Sequence, residues 1–331
     1  MAPKKVLIAG GAGFIGSHLT ERFLEEGFEV HVVDNMITGN PENLASVEHH
    51  PHLTVIPSDV EEFRPPSPEY AYILHLASPA SPVDFQALAY EITRCNSIGT
   101  YRLLDLAKQC GAVFLFASSS EVYGDPQVHP QTEESIGCVN PVGPRGPYDE
   151  GKRFGETITM TYHRKFGVDV RIARIFNTYG PRMRPHDGRV IPSFLTALLQ
   201  NQPLPIHGDG QQTRSFCFVT DLVEALYRLA TTPGLAGEIV NLGNPEEVTI
   251  LELAERLQKV SGRKVGVKHL PRPQDDPSRR RPDITKAQKL LHWSPRVPLE
   301  VGLRKTWEWA KQHYPPEIPP TLETQRKSPQ D

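Results

Sequence analysis

The run Gly10-Gly11-Ala12-Gly13-Phe14-Ile15-Gly16 limits what this chain can fold into more than any other stretch. The apolar Val6 to Ala9, read as a buried strand, precedes it. Ile15, Leu19 and Phe23 follow at i, i+4 and i+8, the stripe of a helix that stops near Gly27. Gly10, Gly13 and Gly16 lack the Cβ atoms that would block a tight turn, the approach of a pyrophosphate to the backbone, and the packing of helix on sheet. The helix N-terminus then offers unpaired N–H groups and a partial positive charge to the phosphates. Asp34 ends the next strand, Glu29 to Asp34; its carboxylate can accept hydrogen bonds from both ribose hydroxyls while repelling a 2′-phosphate. Asn35 follows, with no arginine nearby to neutralise such a phosphate. The expected cofactor is NAD rather than NADP.

Leu53 to Pro57, Tyr72 to Leu76, Ala112 to Ala117 and Val168 to Ile175 read as further strands, with helices over roughly 85–109 and 148–166. Strands buried on both faces and separated by helices specify an α/β fold, a doubly wound parallel Rossmann-type sheet. After Gly180-Pro181 the elements shorten. The expected division is an NAD-binding Rossmann domain over 1–180, to which 215–245 returns. Residues 181–214 and 246–313 would form a smaller C-terminal substrate-binding lobe over the carboxyl ends of the strands. From Tyr314 the sequence turns Pro-rich and polar, so 314–331 is expected to be a disordered tail. A net charge of −3 leaves no electrostatic footprint for nucleic acid or an anionic membrane. No apolar run approaches the ~20 residues of a membrane span, and the N-terminal apolar stretch is too short for a signal peptide. A soluble cytoplasmic protein is expected, without nucleic-acid or membrane partners. Cys95, Cys110, Cys138 and Cys217 include no CxxC pair and read as buried free thiols; His49, His50 and His52 read as a solvated loop, and no metal site is expected.

Tyr148 and Lys152 form a YxxxK pair at the start of a helix, one turn apart on one face. Of the ten tyrosines, only Tyr148 has a lysine four residues on. An ammonium there could stabilise a phenolate, since lowering a tyrosine from its ordinary ~10 to about 7 needs roughly 4 kcal/mol.

With these motifs in order the chain resembles the extended short-chain dehydrogenase/reductase family of nucleotide-sugar enzymes. The resemblance runs from Lys4 to about Trp309. It is carried by the glycine run, by Ser118-Ser119-Ser120-Glu121-Val122-Tyr123-Gly124, by Tyr148 to Lys152, and by Arg174-Ile175-Phe176-Asn177-Thr178-Tyr179-Gly180-Pro181. It implies that Ser119 hydrogen-bonds the reacting sugar hydroxyl and that Asn177 touches the nucleotide diphosphate. The implied NAD contacts are Gly10, Gly13, Phe14, Ile15, Gly16, Asp34, Asn35, Thr38, Gly39, Asp59, Val60, Leu76, Ala77 and Ser78, with Tyr148 and Lys152. Within the family the similarity is greatest to the members that decarboxylate UDP-glucuronate. Ser120-Glu121, Tyr148 to Arg153, Asp187 to Val190, and Gln274-Asp275-Asp276-Pro277 with Arg280, Pro282 and Asp283 carry it. His207 stands where a tyrosine often packs on uracil, and can still stack. Ser119 replaces the commoner threonine, and Gly146-Pro147 a bulkier pair.

The resemblance implies C4 oxidation of UDP-glucuronate, loss of CO2 from the 4-keto acid, and re-reduction to UDP-xylose, with Tyr148 as base. Glu121 beside an anionic substrate is expected to have a raised pKa, and Arg280 to hold the substrate's charged groups through its planar fork. Arg189 and Arg214 are further candidates for phosphate or uridine. The rivals are a UDP-glucuronate or UDP-glucose 4-epimerase on the same scaffold and a non-catalytic NAD-binding regulator. The family also implies a homodimer, through helices near 85–109 and 148–166.

Overall fold

The structure is a computed structural model describing residues 3–66, 69–271 and 279–315. Its centre is β1 (Lys5–Ala9), whose Val6, Leu7, Ile8 and Ala9 are fully buried. Burying a Val, Leu or Ile side chain contributes about 1.5–3 kcal/mol, so a strand covered on both faces needs this unbroken apolar run. A helix on either face supplies the cover. Helix α1 (Phe14–Glu25) turns Leu19, Phe23 and Leu24 inward.

Seven parallel strands form the main sheet. On one side of β1 lie β2 (Glu29–Asp34) and then β3 (Leu53–Pro57); on the other lie β4 (Tyr72–His75), β5 (Val113–Ser119), β6 (Val170–Ile175) and the edge strand Glu238–Leu242. Val6 pairs with Val30 on β2 and with Tyr72 on β4. The strand order therefore reverses between β1 and β4 while the strands stay parallel, which opens a crevice at their carboxyl ends.

The single helix expected over 85–109 is instead four pieces: α2 (Asp84–Ala87), α3 (Ala89–Arg94), a π-helical turn Cys95–Gly99, and α4 (Thr100–Cys110). Leu88 leaves helical geometry at φ −116°, ψ 28°. In the π turn Asn96 Nδ2 donates to Ser78 Oγ at 2.9 Å, and His75 Nε2 lies 3.3 Å from the Cys95 carbonyl, so the widened turn is tied to the end of β4. Helix α5 (Gly146–Phe166) starts two residues before Tyr148 because Pro147 suits a first turn, where its missing N–H has no partner to lose.

Four more helices, α6 (Val190–Leu199), α7 (Val219–Thr231), α8 (Ile250–Ser261) and α9 (Thr285–Leu291), lead to the last, α10 (Leu299–His313). A Thr249/Glu252 capping box fixes the start of α8. One continuous apolar cluster joins Ile8 of β1 to Leu195 of α6, Leu226 of α7, Leu253 of α8 and Trp307 of α10. The opposite sheet face packs Leu7, Ile73, Phe114 and Phe116 against Leu104 of α4 and Ile158 of α5.

Two expectations need correction. Tyr314, read as the first residue of a tail, is buried, and its hydroxyl donates to the Met183 carbonyl at 3.1 Å. An aromatic ring with an adjacent carbonyl acceptor gains more from packing than from solvent. Only Cys217 is a buried thiol; Cys95 and Cys110 are half-buried and Cys138 is exposed. Residues 316–331 and the Gln274-Asp275-Asp276-Pro277 motif lie outside the described residues. Among the described residues no helix is long and apolar enough to cross a membrane.

Candidate active site

At the β1–β4 crevice the glycines are a steric requirement. Gly10 adopts φ +83°, and a Cβ there would stand 2.7 Å from the Ala77 backbone N at the end of β4. A Cβ on Gly16 would come within 2.0 Å of the Gly10 carbonyl oxygen. Behind this turn Asp34 accepts from Ala12 N–H at 3.0 Å and from Met36 N–H at 2.9 Å. Burial raises the pKa of its carboxyl, partly offset by those two amides. Asn35 Nδ2 donates to Asp59 Oδ1 at 2.6 Å, and Gly39 lies against the Asp34 carboxylate. The Val60 side chain belongs to the core rather than to any opening. A groove floored by Cβ-free backbone at a helix N-terminus, with an acidic residue at its far end, fits NAD.

The groove opens into a cavity of about 410 Å³. Gly10, Gly13, Phe14, Ile15, Gly16, Thr38, Leu76 and Ser78 line one end; Ser119, Glu121, Tyr148 and Lys152 line the middle; Asn177, Arg189, His207, Arg214 and Arg280 line the rest. Asp34, Asn35, Gly39, Asp59, Val60 and Ala77 are not on its wall.

Tyr148 is buried and stacks on Phe85 of α2, with ring centroids 4.7 Å apart and planes at 14°. Burial pushes its phenol up to about 12, a hydrogen bond with Ser119 opposes this, Glu121 adds to it, and Arg189 opposes it. Lys152 Nζ donates to the Ala117 carbonyl at 3.0 Å, 5.6 Å from the Tyr148 ring centroid, and burial pulls the amine down to about 8.

The second group was not anticipated as a unit. Glu121, on the turn Ser120–Tyr123 after β5, is gripped by two guanidiniums. Arg280 Nη1 lies 2.8 Å from Glu121 Oε1, and Arg145 Nη2 pairs with Oε2. Arg145 also reaches Asp149, with Nε 3.5 Å from Oδ2, and lies over the Phe85 ring. Burial would raise Glu121, but Arg280 and Arg145 outweigh it and hold the carboxyl below its ordinary range. The expected raised pKa is therefore not found in the free chain. Arg280 is 2% exposed and already committed: Nη1 also donates to Ser120 Oγ at 3.1 Å and Nη2 to the Gly124 carbonyl at 3.2 Å. Burial, reinforced by Glu121, pushes Asp149 up to about 7.

Arg189 forks onto buried Asp187, with Nη2 2.9 Å from Oδ2. His207 Nδ1 is 2.8 Å from the Pro271 carbonyl, and Arg214 Nη1 donates to the Thr213 carbonyl at 2.9 Å. Residues missed in the sequence are Phe85, Arg145 and the loop residues Arg182 and Arg184, all of which line the cavity. Arg145 carried one usable signal, its place one helical turn before Asp149.

Residues 6–243 match the sequence profile of the NAD dependent epimerase/dehydratase family. The chain is 50% identical over 306 residues to UDP-glucuronic acid decarboxylase 1 of Danio rerio, covering 92% of this chain and 72% of that one. It is 51% identical over 302 residues to UDP-glucuronic acid decarboxylase 4 of Arabidopsis thaliana, covering 90% and 67%. Among solved structures, the UDP-glucuronic acid 4-epimerase from Bacillus cereus, in complex with UDP-glucuronic acid and NAD, superposes with a TM-score of 0.84 at 30% identity, over 94% of this chain and 100% of that one.

Proposed function

The chain belongs to the NAD dependent epimerase/dehydratase family, and from that premise we propose that it converts UDP-glucuronate to UDP-xylose and CO2 with NAD. The observation that carries this reading is the half-identity to UDP-glucuronic acid decarboxylases across nine-tenths of the chain, joined to a guanidinium-rich pocket beside Tyr148.

Gly10, Gly13, Gly16 and Asp34 would hold NAD, whose nicotinamide would supply a reversible acceptor for the C4 hydride of the sugar and a positive charge near Tyr148. Tyr148 removes the 4-hydroxyl proton, with Ser119 hydrogen-bonded to the same oxygen. Lys152, anchored on Ala117, keeps a positive charge near the phenolate. In the 4-keto acid the carboxylate is β to the ketone, so the C5–C6 bonding pair passes into an enolate as CO2 leaves. Tyr148 and Ser119 donate to that enolate oxygen, fixed donors aimed where charge develops. A proton then adds at C5, and Tyr148 returns its proton to O4. Arg280 holds Glu121 charged and oriented next to the departing carboxylate. Arg189, Arg214 and Asn177 face the diphosphate, and His207 the base.

Residues 1–180 with 215–245 bind NAD, and 181–214 with 246–313 bind the sugar nucleotide. Exposed Tyr90, Tyr101 and Phe154 on α3, α4 and α5 support a homodimer across those helices. Incubation with UDP-glucuronate and analysis by mass and proton NMR tests the reaction. UDP-xylose and CO2 are expected; an unchanged carbon count with inverted C4 makes the chain an epimerase. Light scattering tests the dimer.

A further inference from the structure

We propose, resting on UDP-glucuronate as substrate, that Asp149 is a positioning residue that takes up a proton when the sugar carboxylate enters, and so adjusts Arg145 to receive it. Four charges meet beside Tyr148: Arg145, Arg280 and Glu121 on the cavity wall, and Asp149 next to Arg145 but not on that wall. In this cluster each carboxylate has a guanidinium beside it, and Lys152 is committed to the Ala117 carbonyl near Tyr148. A third carboxylate, delivered with the sugar, would add negative charge beside Glu121 and Asp149, and buried charge without a partner is strongly disfavoured. A proton on one of the carboxylates relieves this.

The geometry selects which. Both Glu121 oxygens accept from guanidinium nitrogens, so protonating Glu121 would sacrifice two ion pairs. Asp149 is 6% exposed; its Oδ2 stands 3.5 Å from Arg145 Nε, farther than Glu121 Oε1 from Arg280, and its Oδ1 is buried with no hydrogen-bond partner among the described residues. A proton on Asp149 costs least. The charged or titratable groups facing it are Arg145 at the start of its own helix, Glu121 from the turn after β5, Arg280 from the C-terminal lobe, and neighbouring Tyr148. From the α2–α3 side, the cover on Tyr148 is apolar: Phe85, Leu88 and Ile92. Burial and Glu121 already hold Asp149 near 7, so a modest added negative charge suffices. The step balances as carboxylate plus a solvent proton giving carboxylic acid. Once Asp149 is neutral, the positive charge of Arg145 faces the sugar carboxylate instead. The overall reaction, carboxylate plus proton to C–H plus CO2, itself consumes one proton.

The test is calorimetric titration of the NAD-loaded protein with UDP-4-deoxy-4-fluoro-glucuronate, which has no 4-hydroxyl to oxidise, in buffers of different ionisation heat. At pH 8 uptake of about one proton per site is expected, fading toward pH 6 where Asp149 is already protonated. UDP-xylose, without the carboxylate, should bind with no uptake. Asp149→Asn, a neutral isostere, should bind the analogue with uptake abolished. Binding of the analogue by the unaltered protein without uptake, or persistent uptake in D149N, overturns the proposal while leaving the substrate reading intact. Failure to bind the analogue at all overturns the substrate reading and this inference with it.

Discussion

The cofactor groove and the carboxylate end of the cavity are built on opposite principles. The groove is made of what is missing: glycines without Cβ atoms, backbone amides, and a turn folded on itself within a few residues. The carboxylate end is made of full charges brought together from afar, such as Arg280 and Glu121, which pair across the fold. A groove of absent atoms is rigid, and each position fails by itself through collision. A charge cluster is interdependent, and removing one member exposes the others. The molecule thus pairs a sterically defined groove that fits NAD with a cluster of charges that depend on one another.

Substitutions can break or sharpen that contrast. Tyr148→Phe should lower kcat by about 10³-fold, the upper-middle range for a lost general base, with NAD binding retained. Retained turnover would remove Tyr148 from the chemistry altogether. Arg280→Met should come next. Stripping one partner from a buried pair costs about 3–5 kcal/mol, so melting temperature and decarboxylation should fall together while NAD affinity holds. A variant that loses NAD as well would show the two ends to be one unit. Gly16→Ala should act at the other end, abolishing NAD retention in a fluorescence titration and decarboxylation with it, because the methyl group meets the Gly10 carbonyl oxygen at 2.0 Å. Asp34→Ala leaves two amides unpaired, at roughly 1–3 kcal/mol, and should weaken NAD while admitting NADP. Continued exclusion of NADP would mean that something other than this carboxylate repels the 2′-phosphate.

The smallest effect concerns pH. Asp149 is held near 7 in the folded chain, above its unfolded value, so the folded state carries its proton more firmly between about pH 4 and 7. The stability this provides is present at low pH and lost as pH rises through 7. Asp149→Asn should therefore melt a few degrees above the unaltered protein at pH 8 and level with it at pH 5. Equal shifts at both values would assign the change to packing.

The same contrast explains what could be read from the residues in order. Gly10 to Gly16, Asp34 and the Tyr148–Lys152 spacing act through neighbours in sequence, and their placement follows from strand and helix periodicity. Glu121 and Arg280 were nameable through family resemblance, but their direct pairing was not, because nothing local to either residue encodes a partner across the fold. Hence the expected upward shift of Glu121 took account of the substrate's charge and missed the two arginines. The break at Leu88 and the π turn at Cys95–Gly99 were hidden for a related reason: a helical apolar stripe runs through them, and only the contacts of Asn96 and His75 at the end of β4 reveal the change of pitch. Tyr314 looked like linker because its polar neighbours outweigh one ring, whereas its acceptor, Met183, lies 131 residues away.

Asp34 has one more implication. The carboxylate proposed to meet the ribose staples the β1–α1 turn to the end of β2 through the Ala12 and Met36 amides, with Gly39 closed against it. On that proposal, coenzyme choice and local architecture share the same three atoms. A lineage, or an engineer, wishing to retune this chain for the phosphorylated dinucleotide without loosening the turn could not simply trade the acid for a smaller or basic residue. The loop from Asn35 to Gly39 would have to be rebuilt first, so that its amides find new acceptors before the old one is surrendered.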